Sequence, residues 1–337
     1  MAAAGATLSM VTVFFEAEIG LLKLQARSLV RYHAPGEFER IVVIDNTHRG
    51  VSRRTQERLL RQFGPWRDRV RFVRPQDLTD LPTLPGWVGQ QVLKLIVHRE
   101  IDTSHFLVLD AKNHWIQPTD RSTFLAEDGR ARGASHTYRG HALEQRVADV
   151  LRYVGVDPQE WLDHFMVTHT PVVVSRDVCA DLVSDVERRS GLPFAQEFAR
   201  AGLLEFPLYA GWIIARDGSL DAEIDGSTVR STTIWPSRTP RGIAEDLAAL
   251  DHLDSPFLGI HRKALAKATL TSSRSFARLW AVRGLWSSTT AGLWFIVRFK
   301  GAYLRTMTVR RVRTRLAARR RTAVTAPTGR ARSGDPS

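Results

Sequence analysis

Asp110 and Lys112 stand two positions apart at the end of an apolar run, 105-HFLVLDAKNHWI-116. Side chains at i and i+2 of an extended segment point the same way, so a carboxylate and an ammonium can share one face of the chain here. A reaction that builds negative charge on a leaving diphosphate needs positive charge beside it. Either a divalent cation on an Asp-x-Asp pair or a fixed Lys or Arg can supply it. A hard cation takes oxygen ligands, and a protonated Lys112 is not one. Two chemistries follow: Asp110 shares a metal with a residue distant in sequence, or Lys112 takes over part of the cation's task. The plainer alternative is an ordinary strand-end ion pair.

The surrounding elements decide where such a pair would lie. Residues 7–15, 40–45, 70–75 and 105–110 are short runs rich in Val, Ile, Leu and Phe, which predicts strands. Between them the apolar spacing becomes helical. Leu22, Ala26, Leu29 and Val30 share one face of a helix ended by Pro35 and Gly36. Ser52 caps a second helix over roughly 52–63. A third spans 86–101 and places Val88, Val92, Leu95 and Ile96 together. Strands of this kind alternating with amphipathic helices imply a parallel sheet covered on both faces. Ligands bind such sheets beyond the C-terminal strand ends, where Glu16, Asp45 and Asp110 fall. Each acid alone reads equally well as a solvated loop residue or helix cap, so the expectation rests on the three together. Further helices are predicted over 142–155, 176–189 and 204–216, with strands over 229–235 and 256–262.

Composition bounds the rest. The 337 residues suffice for a sizeable core, and 43% hydrophobic with 25% charged residues is ordinary for a globular protein. Cys179 is the single cysteine, so an intramolecular disulfide and thiolate metal clusters are excluded. The start, MAAAGATLSMVTVFFEAEIG, has no basic leader, and Glu16 and Glu18 interrupt its apolar run, so no signal peptide is expected. No window of 18 uncharged apolar residues suggests a spanning helix. The sequence contains no phosphate-binding G-x-x-x-x-G-K-[ST] loop, dinucleotide G-x-G-x-x-G, H-E-x-x-H or G-x-S-x-G elbow.

Charge is uneven. Residues 1–260 hold 30 Lys and Arg against 34 Asp and Glu, whereas residues 261–337 hold 18 against Asp335 alone. From 263 onward apolar residues recur at helical spacing among arginines, and 309-VRRVRTRLAARRR-321 precedes a Pro/Gly/Ser/Thr-rich end.

The stretches 11-VTVFFEAE-18, 41-IVVIDN-46, 86-GWVGQQVLKL-95, 107-LVLDAKNHWI-116, 168-THTPVVVS-175, 205-EFPLYAGW-212 and 256-PFLGIHR-262 occur in an order that resembles the nucleotide-diphospho-sugar transferase superfamily, the GT-A glycosyltransferase fold. More specifically they are similar to a poorly characterised bacterial family of that fold. The resemblance implies a Rossmann-like α/β domain over 1–262 with a mixed, mostly parallel sheet flanked by helices. A basic helical extension (263–322) and a disordered tail (323–337) would follow it. It further implies that Glu16 and Asp45 lie near the nucleoside, that Gln90, Gln91 and Lys94 border the donor, and that Thr168 and His169 line the acceptor side. Asp110 matches the first acid of the Asp-x-Asp position and Lys112 replaces the last, which puts the usual Mn²⁺ or Mg²⁺ in question. His261 falls where a late metal ligand or diphosphate contact is placed, with Asn113 counted among the substrate contacts. Glu205, followed at helical spacing by Tyr209, is the candidate general base for an inverting displacement. Retaining chemistry stays open, and so does a plain role for Glu205 as an acid favoured at a helix N-terminus.

The expected activity is glycosyl transfer from a nucleoside-diphosphate sugar to an unknown acceptor, such as a cell-envelope glycan or lipid-linked sugar. The alternative is a non-catalytic sugar-nucleotide or glycan-binding module, or a membrane-surface adaptor. The basic segment 270–321, with Trp280, Trp286 and Trp294, suits an anionic membrane surface. Packing on the body and binding to nucleic acid are its competing uses. The expected location is cytoplasmic, with a peripheral position on the inner face of the plasma membrane left open.

Overall fold

The computed structural model describes residues 7–79, 86–226, 231–253 and 255–324. Five strands form the central sheet: β1 (Leu8–Phe14), β2 (Ile41–Asp45), β3 (Val70–Val73), β4 (His105–Asp110) and, after the short β5 (Asn113–Trp115), β6 (Val172–Ser175). Their order is β3-β2-β1-β4-β6, parallel except for the antiparallel edge pair β4–β6. The mixed, mostly parallel sheet anticipated from the sequence is therefore present. A second, three-stranded sheet orders β7 (Ser231–Ile234), β8 (Phe257–Ile260) and β5, so β5 carries the chain from the end of β4 straight into it.

Every residue of β1 is buried, and successive side chains go to opposite faces. Val11 and Val13 join one apolar core; Leu8, Met10 and Phe14 join the other. Alpha-helix α1 (Ile19–Tyr32) packs on the second face. Helix α2 (Arg53–Leu60) starts at Ser52, whose Oγ accepts from Thr55 N at 3.3 Å, as its sequence predicts. The first face is covered by α3 (Gly86–Ile96), α4 (Glu144–Tyr153), α5 (Arg176–Ser190) and α6 (Glu205–Asp217). Helix α3 stops short of the predicted 101 because its last turn tightens over Val97–Glu100.

The chain ends in α7 (Leu270–Val282) and α8 (Thr289–Val324). Leu265, Phe276, Trp280, Ile296 and Phe299 are buried with α1, β5 and β8. The expected boundary at 262 thus marks a change in charge, while the core runs on across it into the basic extension. The helices cross closely at Gly292, where a Cβ would lie 3.0 Å from Ala277 Cα. The tail expected over 323–337 lies outside the described residues from 325 onward.

One polar contact fastens this extension to the strand β5 that follows the sheet's C-terminal rim. Trp280 Nε1 donates to His114 Nε2 at 3.0 Å, with both side chains buried. Burial lowers His114 to about 3, so the ring is neutral and free to accept. Trp280→Phe keeps most of the apolar volume but leaves that nitrogen without its donor. A loss of about 1–3 kcal/mol in urea unfolding is expected; unchanged stability would mean the contact contributes nothing.

Candidate active site

Beyond the C-terminal ends of β1 and β4 lies a cavity of about 500 Å³. The turn after β4 is braced from below. Gln25 Nε2 donates to the carbonyls of Asp110 (2.9 Å) and Asn113 (3.0 Å), and Asp110 N donates to Asn113 Oδ1 at 3.0 Å. Thr170 Oγ1 lies 2.7 Å from Asn113 Oδ1 and 3.1 Å from Asp110 Oδ2, while Asn113 Nδ2 donates to Thr170 O. These contacts fix the Asp110 carboxylate in one orientation.

Two lysines hold that carboxylate. Lys94, on α3, places Nζ 2.8 Å from Asp110 Oδ1 and 3.1 Å from Glu205 Oε1 at the start of α6. Lys112 pairs with Asp110 Oδ2. Burial disfavours the Lys94 ammonium, but Asp110 and Glu205 outweigh it and hold the group charged, well above the usual lysine range. Burial likewise disfavours the Asp110 carboxylate, and Lys112 and Lys94 together hold it far below the usual range. The sequence predicts the Asp110–Lys112 pair but not that Lys94 ties the same carboxylate to Glu205.

The opposite wall comes from the second sheet. His261 caps the short helix Arg262–Lys267, its Nδ1 accepting from Lys263 N at 3.1 Å. Burial, then Arg262 and Lys112, lower His261 to about 4. The ring is neutral, and with Nδ1 accepting, its one proton belongs on Nε2. Arg262 Nη1 is 2.9 Å from Glu18 Oε1. Burial pushes Glu18 up to about 7, against the pull of Arg262. Trp87 and Trp235 line the cavity while remaining about half exposed, at 54% and 48%. Lys112 Nζ lies 5.5 Å from the Trp235 ring centre.

Three buried polar atoms on the lining, Gln91 Nε2, Ser231 Oγ and Thr233 Oγ1, have no hydrogen-bond partner among the described residues. Buried polar groups without partners are costly, so these are free to meet a polar ligand. A second cavity of about 530 Å³ shares His141, His169 and Ser231 with the first. His169, where they meet, is held below the usual histidine range by burial and by Lys112.

Of the residues singled out in the sequence, Gln90, Gln91, Lys94, Asp110, Lys112, Thr168, His169, Glu205 and His261 line this one cavity. Four others do not. Tyr209 is wholly buried, and its Oη accepts from Ser175 N at 2.9 Å, so it is a core residue rather than a substrate contact. Asn113 is also buried and supports the Asp110 turn from beneath. Asp45 accepts from Thr47 N and Val51 N and pairs with Arg74; Glu16 accepts from His48 N. Both acids sit on the rim as expected, but their carboxylates close the loop after β2 and neither lines the cavity. Glu18, Arg262, Trp87 and Trp235 were not singled out. Glu18 closely follows β1, Arg262 follows β8 and Trp235 directly follows β7, but spacing alone does not reveal which side chains turn inward.

A divalent cation does not fit the donor set. Both Asp110 oxygens face ammonium groups, and the His261 nitrogen that has no partner among the described residues is the protonated one. Among the described residues no group of three or more His, Cys, Asp or Glu is arranged to hold a metal.

A family model described as "Family of unknown function (DUF6492)" matches residues 4–232, most of the chain, and the protein belongs to that family. No curated protein matches it. Among solved structures it is similar to the galactosyltransferase LgtC in complex with donor and acceptor sugar analogs, at 12% identity and a TM-score of 0.45. That likeness covers 82% of this chain and 95% of the other. An active-site mutant of LgtC gives 12%, 0.46, 81% and 95%. The bifunctional glycosyltransferase WbbM in its apo form gives 10%, 0.40, 75% and 45%. At those scores the likenesses carry no weight for the chemistry of this chain.

The shared lysine generates a prediction. Lys94→Met leaves Glu205, which is 9% exposed, without a partner cation. An unpaired buried carboxylate costs about 3–5 kcal/mol. The urea midpoint of the variant is expected to fall by the equivalent of that loss. An unchanged midpoint would show that Glu205 finds another partner.

Proposed function

We propose that the protein transfers a glycosyl group from a nucleoside-diphosphate sugar to a hydroxyl-bearing acceptor. The observation that carries the reading is the convergence of Lys94, Lys112 and Arg262 on one cavity, together with a His261 N–H donor. It lies at the strand ends, where parallel sheets bind ligands. Three carboxyl groups line it as well: Asp110 and Glu205 are paired with lysine, and Glu18 is paired with Arg262 and pushed up to about 7 by burial, so each is matched by a fixed cation before a diphosphate arrives. Preorganised charge of this kind stabilises a leaving group as it develops.

The acceptor hydroxyl oxygen forms a bond to the anomeric carbon as the bond from that carbon to the diphosphate oxygen breaks. The bonding pair leaves with the diphosphate, whose new charge falls to Lys112, Arg262 and the His261 N–H. Glu205 takes the hydroxyl proton, and Lys94 then answers mainly to Asp110. A single displacement of this kind inverts the anomeric centre. No divalent cation enters the scheme, because the chain's own ammonium and guanidinium groups supply the charge.

Thermal stabilisation by a panel of UDP-, GDP-, ADP-, dTDP- and CMP-sugars tests the donor class. One donor is expected to raise the melting temperature equally with Mn²⁺ and with EDTA. At ~100 times its dissociation constant the gain is roughly 2.7 kcal/mol. Lys112→Ala should abolish the shift, whereas Glu205→Gln should keep it and lose about 100-fold or more in turnover. Donor binding without turnover in any form would point to a non-catalytic binding module, and no shift with any donor would overturn the reading.

Donor affinity should also depend on pH through Glu18. Below about 7 its carboxyl is neutral and Arg262 is unopposed; above that value the ionised carboxylate offsets the guanidinium. The donor dissociation constant is expected to rise by about tenfold from about pH 6 to about pH 8. Calorimetric titration of Glu18→Gln should show a flat profile across that range.

A further inference from the structure

Helix α8 is apolar on two sides, and the body covers only one. Gly292, Ile296 and Phe299 are buried against α1, α7 and the core; a Cβ on Gly20 would lie 2.7 Å from the Phe299 ring. On the outer side Trp294, Val297 and Leu304 are 65%, 58% and 64% exposed, and Val312 is exposed beyond them. With Gly301 and Thr308 these residues recur every three or four positions, which makes one continuous stripe along the helix. A helix apolar on all sides belongs in an apolar environment, and a solvated outer face should be polar.

The flanks of the stripe point to the missing surroundings. Arg298 and Arg305 border it and are exposed, as is Arg311. After Arg262 the chain has no acidic residue until Asp335. Among the described residues no helix is long and apolar enough to cross a membrane, so this helix would lie along a surface rather than span it. A second copy of the same face would set arginines against arginines. Nucleic acid would match the charge but gives no use to exposed Trp, Val and Leu side chains.

We propose that the outer face of α8, from Trp294 to Val312, docks the protein on an anionic lipid bilayer. The indole and aliphatic side chains enter the interface, and Arg298, Arg305 and Arg311 meet headgroup phosphates. The same helix packs on its inner side against the turn Glu16–Glu18, and Glu18 lines the cavity. Docking therefore brings the cavity's rim close to the bilayer. If the glycosyl-transfer reading holds, an acceptor carried by that bilayer is the substrate class this position serves.

Sedimentation of the full chain with vesicles tests the docking without any appeal to activity. The protein is expected to sediment with phosphatidylglycerol-containing vesicles, to remain in solution with pure phosphatidylcholine, and to be released at high salt. Trp294→Glu/Leu304→Glu should weaken that partition by about tenfold or more, and Arg298→Ala/Arg305→Ala by about tenfold. Both double variants should keep the wild-type melting temperature, since the four side chains face outward. Donor-induced stabilisation should be unchanged as well, so a failed donor reading and a failed docking are told apart. Vesicle binding that survives both double variants overturns the proposal. So does its absence, whether the stripe then retains a DNA duplex or forms a concentration-dependent dimer.

Discussion

A single ammonium, Lys94 Nζ, ties three elements together at one polar point. It sits on α3, reaches Asp110 at the end of β4, and reaches Glu205 at the start of α6. Lys112 completes the arrangement from the far side of the same carboxylate. Charges this well covered are stable only when paired, so the four groups fix one another. The consequence is a cavity floor with its carboxylates already matched by lysine. Arg262, paired with Glu18, and the neutral His261 then complete the wall.

Much of the scaffold was legible in the sequence because its signals are local. Strand residues such as 8–14 are apolar on both faces, helix 53–60 announces itself with Ser52, and the break in charge near 262 is plain from counting. The candidate site was legible where it coincides with a strand end, as at Asp110 and Lys112. It was misread where an adjacent residue has a structural task. Asn113 and Tyr209 carry polar groups that satisfy backbone and turn atoms, so their spacing imitates function. Glu18 and Trp235 were missed for the opposite reason: a long-range pairing, β1 to β4 and β7 to β8, sets which way they face, and nothing within a few residues reports it.

The body and the extension divide the electrostatics between them. The body is close to neutral, and Lys94 and Lys112 are the two of its cations that line the cavity. The extension has cations along an exposed helix and no carboxylates to oppose them before Asp335. They are nonetheless one packed unit, because Phe276, Trp280, Ile296 and Phe299 complete the core on which α1 and β5 also rest. The position of the helix therefore follows from the same burial that sets the cavity wall, and the two charged surfaces hold a fixed relation.

In the proposed function, lysine and arginine replace a divalent cation at the diphosphate. Diffraction from crystals grown with a nucleoside diphosphate and Mn²⁺, recorded at the manganese absorption edge, tests it most directly. Phosphate oxygens are expected within hydrogen-bond reach of Lys112, Arg262 and His261 Nε2, with Asp110 still paired to both lysines and no anomalous peak beside it. A manganese peak joining Asp110 to the phosphates, with Lys112 displaced, would contradict it.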